Sequence, residues 1–181
     1  MLRWGLVPFW AKDSAIGNRL VNARAETVAT APAFRAAFAR RRCLIPASAF
    51  YEWQAAGGST KGARQPWAVS LRDCGPFAFA GLWERWEKGK GGPVESCTVV
   101  VTGANDLLRP IHGRMPVILA PDEYEAWLDA AGTEPAAARR LLDPFPAEAL
   151  VAWPVSTRVN RPQNDDPACL EPAPEEQPRL V

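Results

Sequence analysis

Apolar and aromatic residues in this chain gather in short runs punctuated by glycine and proline, which is the spacing of strands rather than of long helices. The runs Leu2 to Val7, Cys43 to Pro46, Phe50 to Trp53, Pro66 to Leu71, Phe77 to Trp83, Cys97 to Thr102 and Pro116 to Leu119 are predicted as strands. Helical periodicity is scarcer. Ala33 to Arg40 puts Phe34 and Phe38 on one face, and Pro121 to Ala130 opens on a proline and gathers Tyr124, Trp127 and Leu128 on one side. A weaker helical stretch covers Glu134 to Leu142. Gly57 to Gly62 and Glu87 to Pro93 are polar and glycine-rich, as hairpin connections are, and Asn160 to Val181, rich in proline and acids, predicts an extended tail. Strands outnumber helices, so the predicted class is α+β: a curled, mostly antiparallel sheet (a pseudo-barrel) with a few peripheral helices.

A length of 181 residues with 48% hydrophobic content suits one core, and residues 1–181 are read as a single domain. No run approaches the roughly 18 apolar residues of a membrane span, and Met1 to Trp10 lacks a signal-peptide layout, so no membrane partner and a cytoplasmic location are expected. The four cysteines, Cys43, Cys74, Cys97 and Cys169, are scattered and have one histidine to join them, which argues against a zinc site and favours free, buried thiols. No glycine-rich nucleotide loop and no Ser-His-Asp set is present, and no cofactor is expected. A net charge of +1 rules out a global basic field, so any nucleic-acid binding must come from a local patch. Arginine supplies most of the positive charge and suits bidentate phosphate contacts, although a GC-rich genome would produce the same bias.

Three places carry candidate chemistry. His112 stands in Arg109-Pro110-Ile111-His112-Gly113-Arg114-Met115-Pro116, on a predicted loop ahead of a strand, where an imidazole with an unperturbed pKa of roughly 6.5 suits proton transfer. A surface or capping histidine is the plainer alternative. Glu52 is a carboxylate inside the aromatic run Phe50-Tyr51-Glu52-Trp53. If it faces solvent it is unremarkable, whereas in a cleft desolvation raises its pKa and fits it for acid–base work. In Asn22-Ala23-Arg24-Ala25-Glu26-Thr27, period-two alternation puts Asn22, Arg24 and Glu26 on one face of an extended segment, as a ligand surface or as a solvated edge. Eight tryptophans complete the picture, and those exposed beside arginines would stack unpaired bases.

Together these segments resemble the SOS-response-associated peptidase family, also called SRAP or abasic-site-processing proteins. The resemblance runs in order through Trp4-Gly5-Leu6-Val7-Pro8, Asn22 to Thr27, Arg42-Cys43-Leu44-Ile45-Pro46, Phe50 to Trp53, Ala80-Gly81-Leu82-Trp83, Ile111 to Pro116 and the stretch from Val159-Asn160 to Pro172. It implies a protein, expected as a monomer associated with the nucleoid, whose partner is single-stranded DNA containing abasic sites. Asn22 would position the sugar, Glu52 would orient a terminal amine, and His112 would assist ring opening. Arg24 and Arg114 would hold phosphates, with Trp4 and Trp10 as stacking surfaces.

In that family the nucleophile is a cysteine directly after the initiator methionine, which condenses through amine and thiol with the abasic aldehyde to form a thiazolidine. The same acid–base pair would remove the methionine, which explains the peptidase label. Here residue 2 is Leu2, and no cysteine offers a terminal amine and thiol together. A start assigned at an internal methionine is the expected explanation, with a true truncation as its rival. Two further readings stand beside covalent capture: a noncovalent module for damaged single strands, and, less well supported, a protease acting in trans.

Overall fold

The computed structural model of the protein describes residues 2–55, 64–89 and 91–174; the connection at Gly57 to Gly62 and the end of the tail lie outside them. A long strand, β7 (Val94–Gly103), is the spine of the larger sheet. Along one edge it receives two short parallel strands, β1 (Arg3–Trp4) and β2 (Asn22–Arg24). Along the other it pairs antiparallel with β6 (Phe77–Trp86), and β6 in turn pairs with β3 (Arg42–Ala47). The smaller sheet is antiparallel, with β5 (Arg64–Leu71) between β4 (Phe50–Ala55) and β10 (Leu150–Pro154). The fold is α+β, with curled and mostly antiparallel sheets.

The register explains an unusual split. β6 and β7 pair from Gly81↔Val99 to Trp86↔Val94 and then part. Into the gap runs residues 114–119: β8 (Arg114–Pro116) pairs with β7, and β9 (Ile118–Leu119) pairs with β6. Val117 changes allegiance between them, donating its N–H to the Val100 carbonyl at 2.9 Å and accepting from the Ala80 N–H at 2.9 Å. The single strand predicted over Pro116 to Leu119 is therefore two, one on each side of the split. The predicted strand over Leu2 to Val7 shortens to Arg3–Trp4 because Gly5 adopts φ 109° and Val7 gives its N–H to the Ser96 hydroxyl instead of to a strand.

Side-chain alternation sends the two faces of the larger sheet to different cores. Val99, Phe77 and Phe79 meet Val69 and Leu150 of the smaller sheet, with Met115, Leu108 and Ile111 between them. On the reverse face Ala80, Leu82 and Val100 pack under Phe38 of α1 (Arg35–Arg40) and Trp127 of α2 (Tyr124–Leu128), joined by Ala138 of α3 (Pro135–Arg139). The three helices fall within the predicted stretches but are shorter. Residues 121–123 wind as a 3₁₀ turn ahead of α2, and Asp129, whose carboxylate accepts from the N–H groups of Ala131 and Gly132, closes it. Trp127 is fully buried, donates its indole N–H to the Cys43 carbonyl at 2.9 Å, and lies under the Arg42 guanidinium. The tail returns along β10, where Val155 bridges Pro172.

Candidate functional site

Because residues directly opposite in a sheet share a face, the register places Trp4 beside Cys97, Asn22 beside Val99, and Arg24 and Pro116 on either side of Val101. Arg114, two residues before Pro116 on β8, shares that face. Ala23 and Ala25 are buried on the other face, while Asn22, Arg24 and Glu26 are exposed, so the alternation predicted for this segment holds. β4 of the smaller sheet stands across from this surface. Between them lies a largely apolar groove of about 490 Å³, lined by Trp4, Asn22, Glu52, Trp53, Val99 and His112 among others.

Glu52 is turned into this groove rather than to solvent, with 18% of its side chain exposed. Its carboxylate lies 3.1 Å from Nδ1 of His112. Burial pushes the Glu52 carboxyl above its ordinary value, and the opposing pull of His112 is the smaller effect. The loop carrying His112 is held by β4 itself, since Gln54 donates its side-chain N–H to the Pro110 carbonyl at 2.9 Å and accepts from the Trp67 indole at 3.1 Å. Nδ1 of His112 also faces the Arg114 carbonyl at 3.1 Å. Histidine 112 is exposed at the groove, and Nε2 makes no hydrogen bond among the described residues.

Arg114 is bound through Nη1 to both oxygens of Glu26, at 2.7 and 2.9 Å. Burial alone would raise the Glu26 carboxyl, but its own backbone N–H and the guanidinium groups of Arg114 and Arg24 together lower it. This network, with Arg139 donating to the Glu26 carbonyl at 3.3 Å, makes Glu26 the joint between β2 and β8. Sequence reading placed Glu26 on the polar face and gave it no task.

The structure thus brings Asn22, Glu52, His112 and Trp4 together in one groove, with Arg24 and Arg114 beyond its lining on the same sheet face. Trp4 is 65% exposed, and its indole donates to the Val21 carbonyl at 2.8 Å, which fixes the ring without hiding it. Trp10 stands elsewhere. It is exposed, donates weakly to the Pro32 carbonyl at 3.3 Å, and does not line the groove. Tyr51 and Trp53, which flank Glu52 in the sequence, line the groove as well, and the Trp53 indole donates at 2.7 Å to the Asn160 side-chain oxygen, which comes from the tail. The signal for that contact was present only as Asn160 in the ordered family match.

None of the four cysteines lines the groove. Burial pushes the Cys43 thiol up to about 12, with Cys97 adding to it, and burial raises Cys97 as well. Cys169 is buried and Cys74 is exposed in the turn after β5, away from the groove. Among the described residues no cluster of three metal-ligating side chains occurs, and no helix is long and apolar enough to cross a membrane.

Fold and groove define an α+β protein with a carboxylate–imidazole pair at the edge of an apolar cleft. The chain belongs to the SOS response associated peptidase (SRAP) family, whose family model matches residues 1–162. It is 44% identical over 170 residues to the abasic site processing protein YoqW of Bacillus subtilis (strain 168), covering 94% of this chain and 75% of that one. It is 34% identical over 195 residues to the abasic site processing protein HMCES of Gallus gallus, covering 94% of this chain and 56% of the relative. A crystal structure of a protein from Bacteroides thetaiotaomicron superposes with a TM-score of 0.84 at 29% identity, covering 95% of this chain and 75% of that one.

Proposed function

We propose that this protein processes abasic sites in single-stranded DNA, holding the strand in the groove between β4 and the β1–β2–β7 surface. The observation that carries the reading is the Glu52–His112 pair, 3.1 Å apart and set in an apolar groove beside Asn22. Relatives bearing the same family signature are named for abasic-site processing.

Chemically, the arrangement suits the ring-opened sugar. An abasic deoxyribose closes as a hemiacetal, and opening it moves a proton off the anomeric hydroxyl and another onto the ring oxygen. A half-buried carboxylate with a raised pKa and a neighbouring imidazole can exchange those protons near neutral pH. Asn22 offers an amide donor and acceptor to the sugar oxygens, and Arg24 and Arg114 offer guanidinium groups to the flanking phosphates. Trp4 and Trp53 give apolar walls for neighbouring bases. Covalent capture through a thiazolidine additionally requires an amine and thiol on one cysteine.

The test uses abasic single-stranded DNA and two proteins: this chain, and this chain carrying an opening segment grafted from a relative in which a cysteine directly follows the initiator methionine. The grafted protein is expected to give a heat-stable adduct on a denaturing gel, and the adduct is expected to vanish with Glu52→Gln or His112→Ala. A folded graft that forms no adduct rejects covalent capture.

A second reading, a noncovalent module for damaged single strands, is favoured by one observation: the two cysteines on the sheet near the groove are held as unreactive thiols. It predicts salt-sensitive retention of abasic DNA by the ungrafted chain without any adduct.

A further inference from the structure

We propose a second nucleic-acid contact, a basic cleft at the corner where α1 meets the end of β6, which grips the phosphate backbone of the strand after it has left the groove; the inference rests on the DNA-binding reading above. The cleft has a volume of about 820 Å³ and is lined by Arg35, Arg40, Arg41, Arg85 and Phe9, with Glu84 as the carboxylate among its walls. Arg35 and Arg40 are five residues apart on α1, both exposed, and Ala36 and Ala39 lie between them as an apolar floor. A net charge of +1 spread over the whole chain does not account for four guanidinium groups around one opening.

The state of each arginine suits phosphate. Among the described residues Arg35 and Arg40 have no carboxylate partner. Arg41 is bound to Glu84 through Nη2 at 2.6 Å, which leaves its Nη1 without a protein partner among the described residues. Arg85 pairs with Glu87 at 2.6 Å and with Glu95 at 3.6 Å, but both pairs are open to solvent, where ion pairs contribute little and exchange readily. Arginine's fork is matched to phosphate, and phosphate contacts position a strand without reading its sequence.

Groove and cleft lie at the two ends of a short connection whose residues 5–8 are buried, so a strand joining them runs over the surface above that connection. Trp4 lines the groove and Phe9, 51% exposed, lines the cleft. The Gly5 N–H donates to the Cys97 carbonyl at 2.8 Å, and two residues past Phe9 the Ala11 carbonyl accepts from the Trp86 indole at 2.8 Å, so the connection is held on both sides. Five residues span at most about 17 Å. At about 3.4 Å per stacked nucleotide a straight strand covers that distance in about five nucleotides at most. Trp10, which the groove does not use, is exposed next to Phe9 in the chain. An acidic peptide would satisfy the same charges, but the exposed Phe9 ring in the cleft, with Trp10 exposed next to it in the chain, also suits the stacking of bases.

The experiment compares wild type with Arg35→Glu/Arg40→Glu, and with Arg35→Gln/Arg40→Gln in case charge reversal disturbs folding, using labelled abasic oligonucleotides of 5 and 15 nucleotides at several salt concentrations. Wild type is expected to bind both. The variants are expected to bind the short strand as wild type does and the long strand more weakly, with the slope of log K against log salt reduced by about 1.4 for two lost contacts on a single strand. Unchanged affinity and slope for the long strand overturn the second contact and leave the groove reading intact. If wild type binds neither strand, the groove reading falls and this inference with it. An oligoglutamate peptide that binds wild type, loses binding in both variants and leaves long-strand binding unaffected overturns the inference in favour of a protein partner.

Discussion

Nδ1 of His112 lies 3.1 Å from the Glu52 carboxylate and at the same distance from the Arg114 carbonyl. The Arg114 carbonyl accepts, and so does the Glu52 carboxylate when ionised, so the two favour the tautomer that carries its proton on Nδ1. Glu52 therefore orients the imidazole.

His112→Ala is expected to slow adduct formation by the grafted protein about 100-fold or more, the usual contribution of a positioned acid–base group. Binding of the oligonucleotide should change little, because phosphate contacts are untouched. Single-turnover gel kinetics together with anisotropy separate the two effects, and an unaltered rate would remove His112 from the mechanism.

Glu52 also leaves a mark on stability. Its folded pKa is raised above the ordinary 4.5, chiefly by burial. A raised pKa means that the favourable contribution is complete below the unfolded value and is lost as pH rises through the folded one. Wild type should therefore lose stability over the range above 4.5, and Glu52→Gln should lose less and exceed wild type at pH 7. Urea denaturation at pH 4 and pH 7 reads this directly; a variant that is weaker than wild type at pH 7 contradicts the sign.

Arg114 and Arg24 are expected to act on affinity without regard to sequence. Each replacement by alanine should lower the salt slope by about 0.7 on single-stranded DNA. Glu26→Gln should give a smaller loss at constant slope, since it frees the Arg114 guanidinium from its anchor without removing a positive charge.

Trp53 and Asn160 form a pair that a double-mutant cycle can resolve. Trp53→Ala should weaken binding by about 1 to 3 kcal/mol if a base stacks on the indole. Asn160→Ala removes one hydrogen bond, about 1 kcal/mol, and should add nothing once Trp53 is gone. Full additivity in anisotropy titrations would show that Asn160 does not hold the ring for DNA.

Gly81→Ala tests the sheet beneath the groove. An added Cβ would lie 2.8 Å from Ile45 Cδ1 and 2.9 Å from the Cys43 sulfur, and overpacking of this kind costs about 1 to 3 kcal/mol. Thermal unfolding is expected to fall accordingly, with the Glu52–His112 chemistry preserved below the transition.

Much of this was readable from the chain, for reasons that differ from residue to residue. Asn22, Arg24 and Glu26 declared their shared face because alternation is a local property of extended backbone, and alanines between them left no other surface to bury. Glu52 gave an ambiguous signal, since pattern cannot say which side of β4 the other sheet covers. The division of residues 114–119 between β7 and β6 was invisible, because it depends on where two distant strands part and not on the residues that fill the gap. β10 and the 3₁₀ turn at Ser14–Arg19 escaped notice because their periodicity is too short to register. The hydrogen bond from Trp53 to Asn160 spans 107 positions, beyond any local rule.

That last contact bears on synthesis. The smaller sheet needs β10, and the Trp53 wall of the groove needs a residue close to the tail, so a nascent chain emerging from the ribosome carries Asn22 and Glu52 long before they form a site. The walls of the groove are complete only once residues as far along as Asn160 have joined the fold.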